Sequence, residues 1–254
     1  MKTKSFVALF FAVIFTACLA YAFSLFDYTK TATANYLYGE TRKVPIYSVE
    51  RNDNRISISF DCAYGADYTD SLLDTLDAYN VKCTFFVVEF WVKKYPEKVS
   101  KIIERGHEIG THSSTHPYMS KLGTTNIESE LKSSIDAIET ITNKKVELFR
   151  PPYGDYSNSV LNVAGNLGLY TIQWSVDSLD WKNLTKDEIE NRVISKTESG
   201  SIILCHNNGV NTHKALPNIL KKLQEKGFKF VKISELIYKN DYTIDSLGVQ
   251  HSKG

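Results

Sequence analysis

Several short segments carry side chains whose types and spacing suit metal binding or proton transfer. His112-Ser113-Ser114-Thr115-His116 sets two imidazoles at i and i+4, which fall on one side of a helical turn, close enough to grip one ion. Alone the pair also fits two surface histidines; catalysis needs a third ligand and an open coordination position. Ile56 to Asp61 alternates like a strand and ends in a carboxylate. An acid there ordinarily caps a helix, yet the next apolar periodicity begins only beyond Thr69, so no helix starts at Asp61. Leu204-Cys205-His206 ends another strand-like run in an imidazole, which by itself fits a satisfied structural histidine. In Phe149-Arg150-Pro151-Pro152-Tyr153-Gly154 two prolines fix the backbone and lack N–H groups. The Tyr153 N–H is then a free donor in a rigid turn, able to serve an oxyanion, and Arg150 is a fixed charge able to orient a carboxylate. Trp174 to Trp181 adds Asp177, Asp180 and a large aromatic.

These residues need elements to hold them. Candidate strands run over 56–60, 83–88, 107–110, 148–149, 170–174, 201–205 and 229–233, and helical patterns over 70–79, 127–140, 186–195 and 215–226. Gly106 and Gly227 stand where helices close. Strands alternating with helices imply a parallel sheet, a closed barrel or an open doubly wound one. Each polar cluster directly follows a strand, which favours the barrel, whose chemistry sits at the C-terminal strand ends.

Among 254 residues, Lys plus Arg is 30 and Asp plus Glu is 29, a formal charge of +1. That leaves no surplus for a polyanion, so nucleic acid is excluded as the main partner. Lys2 and Lys4 precede an uncharged apolar run from Ser5 to Phe26, and Ala20-Tyr21-Ala22 has the form of a signal peptidase site. Export is expected; uncleaved, the run as a helix of about 33 Å reaches across a bilayer. Secreted and membrane-anchored forms both remain open. Past it lie Cys62, Cys83 and Cys205, an odd number that makes no disulfide framework. The expected organisation is a signal peptide or anchor over 1–26, a spacer over 27–49, one catalytic domain over 50–240 and a polar, disordered tail over 241–254.

Taken in order, the segments resemble the five motifs of the polysaccharide deacetylases, the NodB-homology group of carbohydrate esterases. Phe60-Asp61 matches the first, His112 to His116 the second, Arg150 to Gly154 the third, Asp177 to Trp181 the fourth and Leu204-x-His206 the fifth. The resemblance implies an α/β fold, a distorted (β/α) barrel, and metal-dependent hydrolysis of N-acetyl or O-acetyl groups on sugars. It makes Asp61 the general base, His112 and His116 metal ligands, the Tyr153 N–H the oxyanion donor and His206 the general acid. Asp180 would keep His206 charged and Arg150 would hold Asp61, while Trp181 and Leu204 would line the slot for the acetyl methyl. The metal expected is zinc, with cobalt or manganese as alternatives, and the substrate a glycan, peptidoglycan or a chitin-like oligosaccharide. One position departs from the pattern. Where the family has a second, metal-binding Asp, this chain has Cys62. The third ligand then falls to Cys62 or to Asp67, which keeps a hard oxygen and which a turn at Gly65 could carry back over the strand end. Asp67 is the expected ligand, with a cap on the helix near Thr69 as its structural role. Lost catalysis, leaving a protein that binds envelope glycan, is the alternative.

Overall fold

The structure, a computed structural model, describes residues 16, 18–22 and 41–254. It divides into two units, Met1–Arg42 and Lys43–Gly254. In the first, residues 16 and 18–22 are helical and exposed. Most of the apolar run from Ser5 to Phe26, and residues 27–40 of the expected spacer, lie outside the described residues. Among the described residues no helix is long and apolar enough to cross a membrane.

The second unit is built on one parallel sheet. Its strands are β2 (Arg55–Cys62), β3 (Thr84–Val87), β4 (Glu108–Thr111), β5 (Leu148–Phe149), β6 (Tyr170–Thr171), β7 (Val176–Asp177), β8 (Ile202–His206) and β9 (Lys229–Phe230). They run in the order β6-β5-β4-β3-β2-β8-β7, with β9 added beside β2. Every pair in this sheet is parallel. The sheet is a curled half-barrel whose edge strands β6 and β7 do not pair among the described residues.

Strand parity explains the burial. Along β2, Ile56, Ile58, Phe60 and Cys62 join the larger apolar cluster with Leu72, Leu73 and Leu76 of helix α1 (Thr69–Ala78), while Ser57, Ser59 and Asp61 fall on the opposite face. A smaller cluster of Phe86, Leu148, Ile172, Ile202 and Ile233 fills the concave side. The helices following α1 are α2 (Glu89–Lys94), α3 (Pro96–Glu104), α4 (Thr124–Thr142), α5 (Asn158–Asn166), α6 (Lys186–Lys196), α7 (Thr212–Glu225) and α8 (Ile233–Leu236).

The ends of the domain differ from the expectation. Residues 241–254 are no loose tail: β10 (Tyr242–Ile244) and β11 (Val249–Ser252) form an antiparallel pair, and β11 runs parallel to β1 (Ser48–Val49). Gln250 is fully buried, its side chain bonded to both the N–H and the carbonyl of Tyr238. Val49 N–H donates to Gly200, where φ is +80° and an added Cβ would lie 1.6 Å from the Val49 carbonyl oxygen. Residues 43–49, read as spacer, therefore belong to the domain.

Candidate active site

Asp61 and His206 end neighbouring strands and are register partners across β2 and β8, so a carboxylate and an imidazole face each other at one rim. Arg150, fully buried, donates from Nη1 to Asp61 Oδ1 at 2.7 Å and from Nη2 to the Gln173 carbonyl at 3.1 Å, and its guanidinium lies 4.1 Å from the Phe86 ring centroid. Burial pushes the Asp61 carboxyl up, but Arg150, with His112 and His206, overrides this and holds it below the usual carboxylate range. The group is an ionised base at neutral pH.

On the other side of the pair, Asp180 is buried and accepts three hydrogen bonds. His206 Nδ1 donates to Oδ1 at 2.7 Å, and the His206 N–H and the Thr212 hydroxyl both donate to Oδ2, at 2.8 and 2.7 Å. Burial works against charge on His206, yet the bond to Asp180 and its charge raise the imidazole above its ordinary value. His206 thus holds a proton on Nδ1 and has Nε2 left to donate. Asp177 supports the turn between the strand and Asp180 by accepting from the Leu179 N–H at 2.8 Å, where Leu179 has φ 55°.

His112 and His116 do come together, their rings 4.9 Å apart, but not on a helical turn. The segment is a loop with Ser113 at φ 74° and His116 at φ 60°. Glu130 winds it, accepting from the Ser114 and Thr115 N–H groups at 2.9 and 2.8 Å and from the Thr115 hydroxyl at 2.7 Å. Ser113 Oγ accepts from the His116 N–H at 3.0 Å. His112 Nδ1 donates to the Arg150 carbonyl at 2.7 Å, which leaves the Nε2 lone pair free, 3.5 Å from Asp61 Oδ2. His116 Nδ1 is buried and has no hydrogen-bond partner. Burial lowers both imidazoles, His116 to about 4, so each is neutral at pH 7. Two neutral rings with unused nitrogens beside a carboxylate fit a divalent cation.

The third ligand expected from the sequence is not brought to them. Asp67 is exposed and stands before Tyr68, the N-cap of α1, which has no side-chain cap bond. Parity turns Cys62 into the helix-side core, and burial, with the charge of Asp61, pushes its thiol well up. Among the described residues no group of three His, Cys, Asp or Glu is arranged to hold a metal ion.

Tyr153 takes the left-handed conformation, φ 60° and ψ 7°, rare for a residue with a Cβ. Its N–H has no acceptor among the described residues. Gln173 fixes the turn by donating to the Gly154 carbonyl at 2.9 Å. Leu204 is buried two residues before His206 on the same strand, and Trp181, next to Asp180, is exposed. Glu130, Thr212 and Gln173 were not legible as site residues, because each holds a loop or another side chain from outside the short motifs, while Ser113 lies inside the histidine motif but acts only by holding its loop.

A family model described as polysaccharide deacetylase matches residues 48–172. The chain is 34% identical over 196 residues to a peptidoglycan-N-acetylglucosamine deacetylase of Bacillus cereus, covering 75% of this chain and 92% of that protein. This chain belongs to the polysaccharide deacetylase family. The peptidoglycan-N-acetylglucosamine deacetylase PgdA of Listeria monocytogenes is 34% identical over 212 residues, 84% of this chain, and the chain spans 45% of PgdA's length. Among solved structures, a CE4 family pseudoenzyme from Bacillus anthracis superposes with a TM-score of 0.74 at 33% identity, over 85% of this chain and 75% of that one. A mutant of that pseudoenzyme with restored enzymatic activity gives the same TM-score at 36% identity, over 79% and 73%.

Proposed function

We propose that this polysaccharide deacetylase is an exported enzyme that hydrolyses N-acetyl groups of a glycan, cell-wall peptidoglycan or a chitin-like oligosaccharide. The observation that carries the reading is the opposed pair on adjacent strands, Asp61 held by Arg150 and His206 held by Asp180 and Thr212. Asp61 takes the proton of the attacking water. The Tyr153 N–H donates to the oxygen on which charge develops, and His206 gives a proton to the departing amine nitrogen, with Asp180 stabilising the imidazolium it starts from. Leu204 and Trp181 receive the acetyl methyl. His112 and His116 are the protein's ligands for a divalent ion, zinc first, with cobalt or manganese as alternatives. Bound there, the ion would acidify water and polarise the acetyl carbonyl.

The relatives that act on peptidoglycan support the substrate, and the apolar run after Lys2 and Lys4 supports export, secreted or anchored. Acetate release from purified wall glycan, abolished by a chelator and restored by Zn²⁺ or Co²⁺, tests the proposal. Asp61→Asn and His206→Ala should each lower kcat by roughly 10² to 10⁴-fold with metal content retained. The missing third ligand and the pseudoenzyme's similarity favour a second reading, a protein that binds envelope glycan without cutting it. Glycan binding with no acetate release under any metal would establish that reading and sink the first.

A further inference from the structure

A cavity of about 140 Å³ lies at the end of the sheet opposite the candidate active site. His107 and Glu147 line it from just before β4 and β5, the two strands whose far ends lead into His112 and Arg150. Buried aliphatic side chains form much of its wall: Ile109, Ile138, Val146 and Leu148. An apolar cavity of about 150 Å³ is large enough to hold benzene, so this one has room for a small ring or a short chain.

The wall also carries a buried donor that the fold does not use. His107 is 3% exposed. Its Nδ1 accepts from the Cys83 N–H at 3.3 Å, and Cys83 is no part of the cavity wall. The proton therefore sits on Nε2, at the far edge of the ring, where it has no acceptor among the described residues. Burial, with the charge of Lys82, lowers the imidazole to about 4, so at neutral pH it is an uncharged donor. Nearly all buried donors in folded proteins are paired, so an exception calls for an explanation. Water alone suits this place poorly, because a buried water needs about two to four polar partners and the aliphatic side chains supply none.

The charges around the cavity select the sign of a ligand. Glu147 is paired with Lys239 at 2.6 Å and Lys232 with Glu235 at 2.8 Å, whereas Lys144 and Lys145, also on the wall, are exposed and have no ion-pair partner among the described residues. Glu108 has no cation either, but its Oε2 is taken up by the Thr84 hydroxyl at 2.7 Å and the Ser234 N–H at 3.2 Å. The surplus is positive.

We propose that this cavity is a binding site for a small monocarboxylate with a short apolar body. A carboxylate oxygen accepts from His107 Nε2–H, Lys144 and Lys145 offset the charge from the exposed rim, and the aliphatic side chains enclose the body. The site stands at the opposite strand ends from Asp61 and His206, and the inference does not rest on the deacetylase reading.

Benzoate is the probe, with benzyl alcohol as its uncharged counterpart and inorganic phosphate as an anion without an apolar body. The full chain is titrated with a chelator present, so that no ion at His112 and His116 takes part, and binding is read by calorimetry and by the His107 Nε2–H signal in NMR. Benzoate should bind saturably in the millimolar range and shift that signal, with benzyl alcohol and phosphate each at least tenfold weaker. His107→Asn keeps an acceptor toward Cys83 but removes the Nε2 donor, and should weaken benzoate at least tenfold. Lys144→Ala combined with Lys145→Ala should weaken it about three- to fivefold with Tm unchanged. No saturable binding, an unmoved His107 signal, or benzoate affinity untouched by the lysine pair overturns the proposal. Equal binding of benzyl alcohol overturns it in favour of a purely apolar cavity, and tighter binding of phosphate in favour of a bare oxyanion site. Should His107→Asn fail to fold, the parent's His107 signal and the lysine pair decide.

Discussion

Replacing Asp180 by Asn removes one charge and one acceptor at the point where His206 is protonated. The carboxylate accepts from the His206 N–H, the His206 Nδ1 and the Thr212 hydroxyl, two of these on Oδ2. An Asn oxygen can keep the Oδ2 pair, and its amide then faces Nδ1 as a second donor. The imidazole must turn Nδ1 into an acceptor, so the proton moves to Nε2 and the imidazolium loses its partner. His206, raised in the parent by Asp180, should fall below its ordinary value of about 6.5, at 1.36 kcal/mol for each unit. General-acid catalysis carries roughly 10² to 10⁴ in rate, and kcat/KM should drop within that range, with its alkaline limb moved to lower pH. Stability should fall by about 2 kcal/mol for the lost charge-assisted bond, or roughly 4–8 °C in Tm for a domain of this size. That deficit depends on pH with a definite sign. The raised His206 stabilises the fold fully below about 6.5, and its contribution is lost as pH rises through its folded value. The depressed Asp180 contributes above about 3.9, and this is lost as pH falls through its folded value. The Tm difference should therefore be greatest between about pH 4 and 6.5. NMR titration of His206 reads the shift whether or not acetate is released. An unmoved His206 titration, with rate within threefold of the parent, would refute the assignment of Asp180.

Arg150→Met leaves Asp61 buried without its partner and should destabilise the domain by about 3–5 kcal/mol in urea unfolding, with Asp61→Asn in the same chain recovering part of the loss. Asp67→Ala should leave bound zinc and Tm unchanged within about 0.5 kcal/mol, since Asp67 is exposed and no described ligand group includes it; lost zinc would restore it as a ligand. Truncation after Asn240 removes β10 and β11 from β1 and should lower Tm and open residues 43–50 to limited proteolysis, whereas an unchanged digestion pattern would mean that the small sheet adds nothing.

Residues at strand ends were the most legible part of the site. Asp61, Arg150, Asp180 and His206 sit in short motifs beside apolar runs, and the sheet brings Asp61 to His206 by register alone. The histidine pair was legible as a pair but not in its conformation. Spacing i, i+4 suggests a helical turn, while two positive-φ residues and the distant Glu130 make a loop that delivers the same proximity. The expected turn at Gly65 is present, at φ 65°, but Asp67 beyond it is exposed and joins no described cluster of three ligating side chains. The strands β1, β10 and β11 had no local signal at all. They are two to four residues long and mostly polar, and pairings such as Ser48 with Val249 join opposite ends of the sequence.

The pairing of β2 with β8 also sets the order of events as the chain is made. Ser59 Oγ donates to the Ile203 carbonyl across 144 residues, and His251 reaches Glu50 across 201. β2 is therefore among the first strands synthesised, yet it gains its second neighbour only when most of the domain has followed. Closing such long loops costs entropy before any contact repays it, which slows folding. A nascent chain can hold β2 against β3 but has no rim on which base and acid meet until β8 arrives, and β1 waits longer still, for β11. The growing chain passes through no stage that is partly competent, and folding quality must be judged on the finished polypeptide.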